Sequence, residues 1–230
     1  MRNTIACILI LALSLCACEA AAQNHYEGNI SVGGQAGVTF SRVNFSPSVP
    51  QSMVGGFALG GAFRYVEERH FGLIAELNVE QRGWKEKFDK GYDFNYQRRF
   101  TYVQLPILTH VYFGSSKIHG FFNAGPEVGY MIATSTKANF DYNNIGGVEG
   151  FPTTNRNNDQ LALKVKNHFD YGISAGVGLE WFRNHKQSFR VEGRFYYGLG
   201  DVFSNHKTDP FSASNSMSVM VNLGYFYRLK

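Results

Sequence analysis

Phe169 to Trp181 reads FDYGISAGVGLEW. Every odd position is apolar or aromatic (Phe169, Tyr171, Ile173, Ala175, Val177, Leu179, Trp181), while the even positions are Asp170, Gly172, Ser174, Gly176, Gly178 and Glu180. A period of two marks a strand with one oily and one polar face. The last segment repeats the pattern, with Met217, Val219, Val221, Leu223, Tyr225, Tyr227 and Leu229 on one face. Ser216, Ser218, Asn222, Gly224 and Arg228 lie on the other, interrupted by Met220 and Phe226.

Applied along the chain, the same reading predicts eight strands near 29–42, 53–66, 70–83, 99–113, 118–133, 167–182, 188–202 and 215–229. Each is long enough for the tilted strand of roughly 9 to 11 residues that crosses a bilayer, and an even antiparallel set closes without an edge. The connections alternate in length. Short turns fall at Glu67 to Arg69, Gly114 to Lys117 and Arg183 to Gln187, and long polar ones near 43–52, 84–98, 134–166 and 203–214. That asymmetry predicts an all-β, eight-stranded, antiparallel up-and-down transmembrane barrel, integral to the outer membrane with both termini periplasmic.

Composition agrees. The chain has 230 residues, 25 Gly, 20 Phe and 13 Tyr, with 44% hydrophobic and 17% charged residues. This excludes a disordered chain and disfavours a helical bundle. The 22 Lys+Arg against 18 Asp+Glu form no basic run of the kind that binds nucleic acid. Residues 1–22 read as an export signal: Arg2, an apolar stretch from Ile5 to Leu15, and Ala20-Ala21-Ala22 as the cleavage site, leaving 23–230 as the barrel domain. The rival reading is lipidation at Cys18. Cys7, Cys16 and Cys18 all lie in this leader, so cleavage after Ala22 removes every cysteine.

The alternative to a membrane barrel is a soluble one, which turns its apolar face inward and its polar face to water. Here the polar face carries Arg64, Glu76, Glu80, Arg82, Glu127, Asp170, Glu180, Arg190, Glu192, Arg194 and Arg228, with glycines interspersed. Six acids and five arginines can neutralise one another inside a narrow lumen, and a water-facing surface needs no such matching. Aromatic residues cluster at strand ends, Tyr65, Phe71, Phe113, Trp181, Phe189 and Tyr227 at one level and Phe40, Tyr130, Phe169 and Tyr197 at the other. Two interfacial girdles have this form.

Tyr102 to Leu108 (YVQLPIL), Phe122 to Tyr130 (FNAGPEVGY) and Phe169 to Glu180 resemble segments of the PorT-like outer-membrane β-barrel proteins of Bacteroidetes-type bacteria. Phe71 to Gly83 and Tyr197-Gly198-Leu199 match weaker signatures. Gln104 and His110 depart from the Glu and Lys common in that family. The resemblance implies an outer-membrane location and an eight-stranded barrel. It also implies, through the family's namesake, a place in protein secretion as an alternative role.

No Ser-His-Asp set, phosphate loop or zinc motif is detectable, so no cofactor and no catalytic or metal residues are expected. His110 and His119 are expected on neighbouring rungs with Tyr112 between them, as polar lumen filling. Gly33-Gly34 and Gly55-Gly56 read as strand glycines. Candidate contacts lie between Trp84 and Arg99, where the five bases Lys85, Lys87, Lys90, Arg98 and Arg99 stand against three acids, Glu86, Asp89 and Asp93, with Phe88, Tyr92, Phe94 and Tyr96 interleaved. They would meet lipopolysaccharide phosphates or a partner protein, or simply be solvated. The 134–166 connection reads as mobile. Asn222, Gly224, Tyr227 and Leu229 resemble the C-terminal signal by which barrels engage the assembly machinery. The expected function is a plugged barrel with a structural or binding role through its loops and outer-membrane lipid as partner. The alternatives are a secretion-system component and a lipid-modifying barrel enzyme.

Overall fold

The computed structural model describes residues 28–66, 68, 70–153, 156–207 and 209–229. The expected leader 1–22 with its three cysteines, His25, and Glu67 and Arg69 of the first short turn lie outside the described residues. Nine antiparallel strands form among them: β1 Asn29–Ser46, β2 Gln51–Ser52, β3 Val54–Val66, β4 Phe71–Glu86, β5 Tyr96–Gly114, β6 Ile118–Ala138, β7 Phe169–Phe182, β8 Gln187–Asp201 and β9 Ala213–Arg228. Eight of them close a ring, each paired with the next long strand, and β9 returns to β1. This seam stays in register from Ser31↔Arg228 to Ser46↔Ala213. The two-residue β2 pairs only with the end of β4, Gln51 opposite Glu86.

The wall is oily on the outside. Leu77 and Val177 are each 61% exposed and Leu223 64%, and the girdle residues Phe40, Phe113, Tyr130 and Phe169 also face out. An apolar belt around a closed ring matches a lipid-facing wall, whereas a soluble barrel keeps such residues inside. The eight-stranded barrel is therefore as expected, and an eight-stranded bore is one that side chains just fill.

At the short-turn end the strand limits match the expected ones within about one residue. Toward the long-loop end β1, β4, β5 and β6 run further, to Ser46, Glu86, Tyr96 and Ala138. The chemical phase inverts there while the backbone parity does not. On β1 the inward row is Ser31, Gln35, Thr39 and Ser41, then Val43 and Phe45, while the outward row passes from Val38 and Phe40 to Arg42 and Asn44. β4 follows Glu76, Asn78, Glu80 and Arg82 inside with Trp84. In lipid the apolar face must point out. Beyond lipid it must point in, so the pattern reverses where the strand leaves the membrane.

A register shift between Thr101 and Tyr102 leaves Ile132 without an opposite residue, since Tyr102 faces Met131 and Thr101 faces Ala133. Above this bulge the inward and outward positions of β6 exchange parity.

Candidate functional site

The inward row builds three charged levels. Nearest the short turns, Arg64 Nη1 donates to both oxygens of Glu180, at 2.9 and 2.7 Å, and its guanidinium lies 4.6 Å from the centre of the Phe226 ring. In the middle, Glu76 accepts from Arg194 Nη1 at 2.6 Å and Nη2 at 2.8 Å, and from Arg190 Nη2 at 3.1 Å. It also accepts from Gln35 at 2.7 Å and Asn78 at 2.9 Å. Glu192 accepts from Arg190 at 2.7 Å, from Arg194 at 3.0 Å and from Asn123 at 2.9 Å. Higher up, Arg82 meets Glu80 at 2.9 Å, Asp170 at 3.2 Å and Glu127, with its guanidinium 3.6 Å from the centre of the Tyr196 ring.

Glycines make the room. A Cβ on Gly176 would stand 2.5 Å from Glu192 Oε1, and one on Gly60 would overlap the Asn78 amide. Burying charges on this scale is tolerated only where each is paired and hydrogen-bonded.

Ten of the eleven expected lumen residues are in these ion pairs. Arg228 is the exception. It is half-buried at the end of β9 and lines a cavity of about 230 Å³ at the short-turn mouth, so four arginines, not five, face the six acids. Glu180 does lie opposite Arg190 in register, yet it pairs with Arg64 while Arg190 turns toward Glu76 and Glu192. Across a narrow bore the far wall is as close as the neighbouring strand.

The same mouth holds His70, His110 and His119. As expected, Tyr112 stacks between His110 at 5.3 Å and His119 at 5.0 Å. His110 shares a 2.7 Å hydrogen bond with Asn123 Oδ1. No group of three or more His, Cys, Asp or Glu among the described residues could hold a metal ion.

Above the charged levels sits an aromatic cap. Trp84, fully buried, has ring neighbours Phe45 at 5.3 Å, Phe100 at 5.7 Å and Phe203 at 5.9 Å. The long connection after β6, expected to be mobile, packs into this cap instead. Its Phe140 and Phe151 sit with Phe88 and Phe94 at 4.9 to 6.0 Å. Apolar residues at Ile145, Val148, Leu161 and Leu163 give it a reason to fold down. Glu86 straps it: the buried carboxylate accepts from Trp84 Nε1 at 3.0 Å, Gln160 at 3.1 Å and Arg156 at 2.6 Å. Tyr96 and Arg98 tie the carbonyls of Leu161 and Leu163, at 2.9 and 2.6 Å.

The candidate loop bases accordingly separate. Arg98 is buried inside the cap, Lys85 and Arg99 stand on strands, and Lys87 and Lys90 remain in the exposed connection. At the other end of the chain, Asn222 and Gly224 face the lumen, Asn222 donating to Gln35 at 3.3 Å and Gly224 packing on Arg190. Tyr227 and Leu229 face out.

A family model described as outer membrane protein beta-barrel domain matches residues 21–204. No curated protein sequence matches significantly. Solved structures with a similar course include neisserial surface protein A, at 11% identity over 88% of this chain and 99% of that one, with a TM-score of 0.48. Ail, the attachment invasion locus protein of Yersinia pestis, in complex with the heparin analogue sucrose octasulfate, is 14% identical over 87% and 99%, with a TM-score of 0.41. OprG from Pseudomonas aeruginosa is 12% identical over 88% and 95%, with a TM-score of 0.46. With a family match over most of its length and a closed, oily-walled ring of eight long strands, this chain belongs to the outer membrane protein β-barrel domain family.

Proposed function

We propose that the protein is a non-conducting, non-enzymatic outer-membrane barrel that holds a folded cap outside the cell, in a structural or binding role. The long-loop end faces outward and both termini face the periplasm, a reading supported by the difference in connection length. The motifs Tyr102 to Leu108, Phe122 to Tyr130 and Phe169 to Glu180 support a PorT-like assignment within the family. Its partners are outer-membrane lipid, the assembly machinery that reads Asn222, Gly224, Tyr227 and Leu229, and whatever meets the cap.

The observation that carries this reading is that the bore is filled twice, by ionic side chains at one depth and by aromatic rings at the next. Arg82, Arg190, Trp84, Phe100, Tyr102 and Phe203 are all fully buried. A solute path would have to break ion pairs and then a hydrophobic core. In planar bilayers the purified barrel is expected to insert without producing steady conductance steps. Stable ohmic steps from the folded protein would overturn the proposal in favour of transport.

A further inference from the structure

We infer that the outer wall of β4, β5 and β6, just above the apolar belt, binds the phosphate groups of an outer-leaflet glycolipid of the lipid A type. The orientation, though not the binding chemistry, rests on the reading above.

Residues opposite one another in antiparallel strands share a face. Lys85 on β4 is opposite Gln97 on β5, and Gln97 is opposite Lys137 on β6. One step along the same outward row, Gly83 is opposite Arg99, and Arg99 is opposite Ser135. With strands spaced about 4.8 Å apart, Lys85 and Lys137 flank Gln97 at about 10 Å from each other, and Arg99 lies about 7 Å along β5. The three cations form a triangle on the scale of a phosphorylated sugar headgroup.

Arg99 is held in place. It crosses Gly83, which has no side chain to lift it, and its Nε donates to the Gly55 carbonyl on β3 at 3.0 Å. Its terminal nitrogens make no hydrogen bond among the described residues, so the fork is oriented and unspent. Lys85 and Lys137 are likewise in no ion pair among the described residues. The adjacent acid, Glu86, points inward and is paired with Arg156. Three unneutralised cations on one wall contrast with the charged levels of the lumen, where Arg64, Arg82, Arg190 and Arg194 each meet a carboxylate.

Position selects the ligand. Below the triangle the outward rows pass through Gln81 and Thr101 to Val79, Val103 and Leu105, the start of the lipid-facing belt. A headgroup phosphate whose acyl chains lie on that belt arrives at the height of the cations. Basic residues at a membrane surface attract anionic lipid with about a fivefold gain each. Guanidinium adds bidentate geometry for phosphate.

The test uses the barrel purified from outer membranes, with native mass spectrometry counting bound lipid. The probes are bis-phosphorylated lipid A and the same lipid stripped of both phosphates. Wild type is expected to retain the phosphorylated form on the order of a hundredfold more strongly. Lys85→Gln with Arg99→Gln and Lys137→Gln should abolish the preference, and Arg99→Lys alone should leave a reduced one. Lys87→Gln with Lys90→Gln, in the nearby connection, should leave it unchanged. Equal retention of both lipids, or a preference that survives the triple change or is lost in the loop variant, would overturn the inference. A conducting barrel would refute the proposed function and leave this preference standing, so the two fail separately.

Discussion

Neutralising one lumen carboxylate should be costly at Glu76 and nearly free at Glu80, although both are buried glutamates on the same strand. The difference is in the local count. Glu76 and Glu192 face Arg190 and Arg194, two charges against two. Glu76→Gln leaves two guanidinium groups to one carboxylate, and turns an amide donor toward nitrogens that donate to Glu76 at 2.6, 2.8 and 3.1 Å. An uncompensated buried charge costs about 3–5 kcal/mol. Around Arg82 the ratio is reversed, with Glu80, Glu127 and Asp170 crowding one guanidinium. Glu80→Gln there removes repulsion between carboxylates. Against this stands a charge-assisted hydrogen bond of about 1.5–3 kcal/mol, and the amide oxygen still accepts from Arg82 and from Ser218. The net change should stay within about 1 kcal/mol, on balancing those two terms. Urea unfolding of each variant in lipid vesicles, followed by tryptophan fluorescence, gives both midpoints, and gel mobility without boiling confirms the starting fold. Equal losses, or a larger loss at Glu80, would refute the argument from local charge balance.

Trp84→Ala should remove the centre of the cap and destabilise it by about 3–5 kcal/mol, read as an earlier unfolding transition in the same titration. Glu86→Ala should release the strap while sparing the wall, so limited trypsin would cut at Arg156 and Lys164 much faster with the heat-modifiable gel shift unchanged. Tyr227→Ser with Leu229→Ser should leave export intact but stall insertion, so that the chain accumulates in the periplasm. Normal outer-membrane levels of that double variant would count against the assembly role.

The wall was legible from sequence because lipid imposes one rule on every strand, apolar outward at every second residue. That rule ends where lipid ends. Arg98 and Arg99 show the consequence: neighbours in sequence, one is sealed inside the cap and the other lies on the outer wall. A continuous reading of Tyr96, Arg98, Phe100 and Tyr102 as an inward row, in reversed phase with Val103 and Leu105, would have found the cap strands. The lumen residues were legible as a set, since charges on a strand's polar face have nowhere else to go. Their pairings were not. Arg64 and Glu180 are 116 residues apart in the chain, and Arg190 passes over the acid opposite it for Glu76, 114 residues away. Such choices depend on reach across the bore, which register alone does not contain. The outward direction of Lys137 is not legible for a related reason, because the bulge at Ile132 decides which way it points.

Single cysteines along β1, in residues 23–230 refolded into bilayers, test the central claim that one strand passes from lipid to cap with its chemistry inverted. At Val38, 51% exposed on the belt, a bilayer-soluble maleimide should react and a water-soluble one should not. Arg42 and Asn44 positions should react with the water-soluble reagent. Thr39 and Val43, both fully buried, should react with neither. Water-soluble labelling at Val43 would mean an open bore, and bilayer-soluble labelling at Thr39 in place of Val38 would mean that the wall faces the other way.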